Sequence, residues 1–541
     1  MLDRIAKENA DDPAARYINA RPINTQTSSE ETFKVARKWL RACLDSHEDC
    51  RRDESIAGFT PTRVVEILDT APSWRVRICR PAAQVDYVAL SYCWGGPQTM
   101  LTTTTEQAWN TSLPWDALSQ TIQDSIYVSA RLGFRYLWID ALCIVQDDLT
   151  DKMGEIAAMT HVYGAAALTI AASSASTAKE GFLQNRKFTD FPNQVFALAI
   201  RCPDGQVGSV TMFRPPPNTH LSAEPLDGRG WTLQERHLSN RFLDFKTLQL
   251  RWSCNTMLLK EEQGYVDGWD NEDIADAIAQ VDAVYDAMGT WMRMIYGYTL
   301  RNLTVATDRI LAISGIADVL GQWIEGEYWA GLWESNLPLC LMWQSTPSGS
   351  ESTALSPRPT EYQGPSWSWV SVNTIVHYEP LPAIFETCVE ALGCDIELVA
   401  KSAKYGAVKK AQLCLRGRTR RAVLRYCPDV VSQYERKFKL DAGLVEGNAY
   451  ARGDALEAEF ASHSSLAIKV LLLEVVRKVR MLNSAKGGGE AISEGLILRQ
   501  LPSQQYSRVG AFAFYTDAKP GQEVPQNIWF NECDEEVLRL I

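Results

Sequence analysis

The sequence predicts an α/β protein. An open, mostly parallel sheet with an inserted β segment fills the first half, followed by a helical section and a β-rich C-terminal domain. Three observations predict this. Apolar runs in YVALSYCWGG, YLWIDALCIVQDD and ALTIAAS alternate with the helix-period segments LPWDALSQTIQDSIYVSARLGF and DKMGEIAAMTHVYGAA. Strand and helix alternating at this spacing is what a parallel sheet with crossover helices requires. At 541 residues the chain exceeds what one core normally holds, so two or three domains are expected. Beyond residue 384 the apolar runs alternate, as in AQLCLRGRTRRAVL and LAIKVLLLEVV.

Along the chain, residues 1–30 are polar and peripheral. Val35, Trp39, Leu40 and Cys43 then fall at helical spacing in TFKVARKWLRACLDSHEDC. PTRVVEILD and WRVRICR read as a hairpin. Val88 to Tyr92 forms an apolar strand broken at Gly95 and Gly96, and the next helix ends at Gly133. RKFTDFPNQVFALAIRC and SVTMFRPPP, within 184–226, form the inserted β segment; LDGRGWTLQERHLSNRFLDF then returns to a helix and a strand. Helices are expected from Ile274 to Tyr298 and in RNLTVATDRILAISGIADVL, with an exposed turn at Gly487 in AKGGGEA. The expected divisions are 1–59 (helical extension), 60–255 (α/β), 256–375 (helical) and 376–541 (β-rich).

Composition limits the functions. With 46% hydrophobic and 22% charged residues the chain builds large cores, which excludes global disorder. A net charge of -12 disfavours binding driven by phosphate neutralisation, so no nucleic-acid partner is expected. Arg418, Arg420 and Arg421, like Arg477 and Arg480, read as charged faces. No secretory signal and no run of 18 apolar residues is visible, so no membrane partner is expected. Thirteen scattered cysteines suit buried, reduced thiols and a cytoplasmic location.

Three polar clusters lie where an α/β sheet places ligands, at strand ends. They are Ser91, Tyr92, Cys93, Trp94 and Gly95; Asp140 with Cys143 and Gln146; and Arg229, Gly230, Trp231, Thr232, Gln234 and Glu235. Asp140 follows a buried strand and needs a partner, as a loop cap or as a ligand contact. Glu235 lies four residues past Trp231 on one helix face. Trp231 could stack on a planar ring while Glu235 meets a hydroxyl or a cation; a Trp-packed helix held by a Glu–Arg pair is the plainer explanation of both. A nucleophile pairing Cys93 or Cys143 with His161 or His237 is an open alternative. Cys43, His47 and Cys50 are spaced C-x3-H-x2-C, but structural zinc takes four ligands and no fourth is apparent, so no metal is expected. Dinucleotide, P-loop, zincin and hydrolase-elbow fingerprints are absent.

From LSYCWG at 90–95 the chain resembles the fungal heterokaryon-incompatibility (HET) domain. WLRACLDSHEDC lies upstream; LP at 113–114, LGFRYLWIDALCIVQDD, EIAAMTHVYGAAALTIAAS, GFLQNR and LDGRGWTLQERHLSNRFLDF follow. RNLTVATDRILAISGIA, YWAGLW, GPSWSWVSV and YSRVGAFAF resemble later parts of full-length members. Two departures are Trp252-Ser253-Cys254 in place of Trp-Glu-Cys, and Ser239-Asn240-Arg241 in place of Ser-Pro-Arg. The resemblance implies self/non-self recognition or programmed cell-death signalling, with self-association or partner HET-domain proteins. HET domains are related to TIR domains, which implies a TIR-like, flavodoxin-like sheet. GWTLQE then resembles the segment carrying the glutamate of NAD-cleaving members. On that carry-over Glu235 and Asp140 are catalytic, and Ser91, Tyr92, Trp94, Arg229, Trp231 and Gln234 bind a nucleotide. NAD or NADP would be the substrate of a glycohydrolase, with no cofactor. Recruitment of the fold to other small-molecule chemistry is the further alternative.

Overall fold

The computed structural model describes residues 3–6, 12–17, 24–51, 56, 58–186, 195–213, 224–260, 287–346, 356–379, 385–401, 403–427, 438–442, 448–457, 467–482, 488–518 and 529–541. Residues 274–286 of the expected helical stretch, and the turn at Gly487, lie outside them. The chain divides into two compact units, Met1–Gln280 and Val281–Ile541.

In the first unit, strand β1 (Asp3–Ala6) precedes helix α1 (Glu30–Ser46). The Ser29 hydroxyl caps α1 by accepting the Thr32 amide at 3.3 Å, which satisfies an otherwise unpaired helix N–H. Phe33, Ala36, Trp39, Leu40 and Cys43 form its buried face. A hairpin of β2 (Val64–Asp69) and β3 (Arg75–Cys79) follows, then β4 (Tyr87–Ser91), buried along its whole length. The short helix α2 (Glu106–Trp109) leads to α3 (Gln120–Leu132) and β5 (Tyr136–Trp138). Gly133 ends α3 with φ 92°, a left-handed turn that glycine makes without steric cost. The one-turn α4 (Asp140–Cys143), α5 (Leu149–Ala165) and β6 (Leu168–Ala171) complete the crossover region.

The inserted segment is a hairpin, β7 (Val195–Arg201) and β8 (Val207–Phe213), and β1 joins it as a third strand. The chain then returns through α6 (Thr232–Leu238), β9 (Arg241–Phe245), β10 (Leu250–Cys254) and β11 (Leu258–Lys260).

The main sheet has the order β11-β10-β9-β6-β4-β5-β2-β3. It is mixed, which corrects the expectation of a mostly parallel sheet. β5, β4, β6 and β9 run parallel, whereas β2 pairs antiparallel with both β3 and β5, and β9, β10 and β11 form an antiparallel meander. Parallel neighbours need a long crossover, and only the middle of this region contains helical ones. Short loops make β2–β3 and the β9–β10–β11 run antiparallel, whereas the antiparallel β2–β5 pair joins strands far apart in the chain.

The second unit contains α7 (Ala287–Thr299) and α8 (Ser314–Leu320), with a core built around Trp291, Trp333, Trp343, Trp367 and Trp369. Its β-rich part is a nine-stranded sheet. Seven strands follow the order 385–387, 467–482, 488–500, 506–518, 535–540, 408–426 and 389–398, with 438–441 and 448–453 attached at the side. Arg508 is buried in this unit against Asp454. No helix among the described residues is long and apolar enough to cross a membrane.

Candidate functional site

The crossover order determines where a site can form. From β4 the chain passes to β5 on one side and then crosses to β6 on the other. The C-terminal end of β4 is therefore the point where the winding reverses, and a crevice opens there in sheets of this kind. Ser91 is the last residue of β4, and Asp140 is the first residue of α4, two positions past the end of β5. Arg229 follows a single helical turn (Pro225–Gly228), and Glu235 lies in α6.

These side chains converge. The Ser91 hydroxyl donates to Glu235 Oε2 at 2.5 Å. Trp94 Nε1 donates to Asp140 Oδ2 at 2.8 Å, while Asp140 Oδ1 accepts the Ala141 amide at 2.6 Å. Gln98 Nε2 donates to the Tyr92 hydroxyl oxygen at 2.8 Å. Gln146 fastens the turn after β5 by donating to the carbonyls of Asp140 and Ile144 at 3.1 and 3.2 Å. Behind Glu235, the Ser239 hydroxyl donates to the Glu235 carbonyl at 2.6 Å, and Tyr163 donates to the Leu90 carbonyl at 3.2 Å.

The backbone that presents Trp94 is tightly constrained. Gly95 has φ 62°, and a Cβ there would lie 2.4 Å from the Thr177 side chain. The Ala178 amide donates to the Trp94 carbonyl at 3.1 Å. Only glycine permits that approach, so the strand-to-loop transition of LSYCWGG is set by its backbone as well as by its polar groups.

Burial dominates the electrostatics. Glu235 is 7% exposed, and desolvation pushes its carboxyl up to about 7. The Asp140 charge pushes the same way; the Ser91 hydrogen bond, Arg229 and the Tyr163 hydroxyl oppose it. Asp140 is also raised by desolvation, against the pull of Arg229 and the Trp94 indole. The two carboxyl groups share one field, in which burial raises both and the Arg229 charge opposes that rise in each.

Ser91, Tyr92, Trp94, Asp140, Arg229 and Glu235 thus belong to one polar network. Trp231, the residue before α6, is packed against the hydrophobic core of the unit, and Gln234 is buried in α6. Tyr163 and Gln98 belong to the network but were not singled out from sequence. Tyr163 lies among apolar residues of a helix, where a tyrosine reads as core, and Gln98 lies in an irregular loop with no periodicity. The cysteine nucleophile gains nothing: burial pushes the Cys93 thiol up to about 11 and raises Cys143 further, and His161 stacks on Phe59.

Residues 87–235 match the family model described as heterokaryon incompatibility protein (HET). A HET-domain-like region is present. It begins on the first residue of β4 and ends on Glu235, so every member of the polar network named above lies within it. The HET-like region therefore holds β4, β5 and β6, three of the four parallel strands, whereas the β2–β3 hairpin and the strands β9, β10 and β11 lie outside it. No curated protein and no solved structure matches the chain.

Proposed function

We propose that the HET-like region is a nucleotide-cleaving centre of the TIR type, acting on NAD or NADP, within a cytoplasmic protein of self/non-self recognition or cell-death signalling. The observation that carries this reading is the Glu235 carboxyl: buried, held by Ser91, and raised to about 7 at the winding reversal of the sheet. In glycohydrolysis the ribose C1′–N bond breaks, its electron pair neutralises the departing nicotinamide, and C1′ gains oxocarbenium character. An ionised Glu235 would stabilise that cation and take the proton of the attacking water, so that the hydroxyl oxygen ends on C1′. Arg229 suits the substrate phosphates and Trp94 a planar ring, with its indole steadied by Asp140. Trp231 and Gln234 complete the proposed lining, with Asp140 as the second carboxyl.

The test is nicotinamide release by the full chain from NAD and NADP, compared with Glu235→Gln. Loss of about a hundredfold or more in the variant is the expected result for removal of a general base. Equal release by both proteins would sink the assignment to Glu235. The same 7% exposure favours a second reading, in which the closed region signals by self-association or by contact with partner HET-domain proteins. Complete absence of release at high protein concentration, together with concentration-dependent assembly, would select it.

A further inference from the structure

Cys43, His47, Cys50 and Cys254 come together in the first unit, with one ligand atom from each lying within 4.8 Å of all the others. Cys43 and His47 are four apart at the end of α1, so they share one face of the helix. A single helical turn, Glu48–Cys50, folds Cys50 back beside them. Cys254, the last residue of β10, arrives from more than 200 positions away. It is the fourth member of the cluster, which the sequence did not reveal.

The geometry points to a structural zinc site formed by these four side chains. His47 Nδ1 lies 3.5 Å from Cys254 Sγ and 3.9 Å from Cys50 Sγ. A tetrahedron built from zinc–sulfur and zinc–nitrogen bonds has S···N edges of about 3.6 Å and S···S edges of about 3.8 Å. The two His47 separations are close to the edge of such a shell, and the remaining ones all fall within 4.8 Å. Three sulfurs and one imidazole select zinc over hard cations, and four protein ligands leave no open position for catalysis.

The surroundings supply an independent argument. Arg241 is buried, and its partners are Cys43 Sγ, at 3.2 Å from Nε, and the carbonyls of Ala167 and Cys50 at 3.4 and 2.6 Å. Among the described residues it has no carboxylate partner, although a buried guanidinium without an anion is costly. Three thiolates around one zinc carry a net charge of minus one. That charge would neutralise Arg241, while the Nε–H bond would settle the Cys43 sulfur, as outer-sphere donors do at metal–thiolate centres. The Thr256 hydroxyl lies 3.4 Å from Cys50 Sγ.

The site's place in the fold fits a structural role. Arg241 opens β9, and Ala167 immediately precedes β6, so the four ligands gather at the N-terminal ends of the parallel strands. The Ser91–Glu235 network occupies the opposite ends. Zinc would tie the α1 extension to β10 and so close the region 87–235 from both sides in sequence. The inference does not depend on any activity of Glu235.

The test uses the full chain, purified under reducing conditions without a metal-affinity tag. Elemental analysis should find one zinc per chain, and cobalt substituted for it should give intense thiolate-to-metal charge-transfer bands with tetrahedral d–d bands. Cys254→Ser should weaken zinc binding about tenfold or more, whereas Cys79→Ser, outside the cluster, should retain it. Where Cys254→Ser does not fold, the cobalt spectrum of the unsubstituted protein decides. A folded protein that takes up neither metal, a disulfide within the cluster on mass spectrometry, or a cobalt spectrum without thiolate bands would each overturn the site.

Discussion

Two buried acids, one in each unit, show opposite ways of keeping a polar group out of water. Asp454, in the second unit, accepts from Arg508 Nε at 2.8 Å and from Nη2 at 3.1 Å. The same guanidinium also donates to the carbonyls of Leu341 and Trp343 and lies 3.6 Å from the centre of the Trp343 ring. Every charge there is answered. Glu235, in the first unit, receives a short bond from the neutral Ser91 hydroxyl; Arg229 and Tyr163 also favour its ionisation, but burial and the neighbouring Asp140 outweigh them. The first arrangement cements a core, and the second stores a proton near neutral pH. Carboxyls raised in this way cluster at functional sites.

Breaking the fully answered pair should have the largest effect. Arg508→Met leaves Asp454 buried without its cation, and a loss of about 3–5 kcal/mol is expected in denaturant unfolding of the full chain. A loss under 1 kcal/mol would mean that water reaches Asp454.

Glu235→Gln should instead change how stability depends on pH. The folded-state pKa of Glu235, about 7, lies above its unfolded value. Its favourable contribution is therefore complete below the unfolded pKa near 4.3 and disappears as pH rises through 7. Relative to wild type, the Gln variant should gain on the order of 3 kcal/mol between those limits. Parallel stability–pH curves for the two proteins would remove the basis for a raised carboxyl.

A smaller change follows from removing the Ser91 donor. Ser91→Ala removes the bond that holds the Glu235 carboxyl down, so its titration midpoint should move upward, at a stability cost of about 1 kcal/mol. Proton titration followed by NMR of labelled glutamate would measure it; a downward shift would contradict the arrangement. If turnover on NAD is found, its rate should rise with pH through a limb near 7 in wild type, since the carboxylate is the working form, and that limb should move upward with Ser91→Ala.

Much of this was legible in local pattern. The strands at YVALS, YLW and LTIA, the β2–β3 hairpin and the helices between them follow from periods of two and 3.6 and from glycine stops. Ser91, Tyr92, Trp94 and Asp140 could be singled out because they sit where apolar runs end, and Arg229 and Glu235 because they open a helix in a segment that carries the family resemblance. Sheet sense was not legible in full, because a strand's own residues do not say which neighbour it pairs with. β2 read as a strand, but its antiparallel place beside β5 depends on where the whole chain returns, and β10 was not read as a strand at all. Tyr163 was hidden for a related reason: its hydroxyl matters only because α5 packs its tip against β4.

The sequence by itself determined the elements, their alternation, the HET-like run from Tyr87 to Glu235 and the candidate acids at strand ends. These are properties of neighbours in the chain, set by backbone sterics and burial period. Only the tertiary structure decided that Glu235 meets Ser91, 144 positions away, that Asp140 raises its pKa, and that Cys254 completes the cluster begun by Cys43, His47 and Cys50. Long-range contacts follow from how layers pack, and desolvation exists only once they have packed.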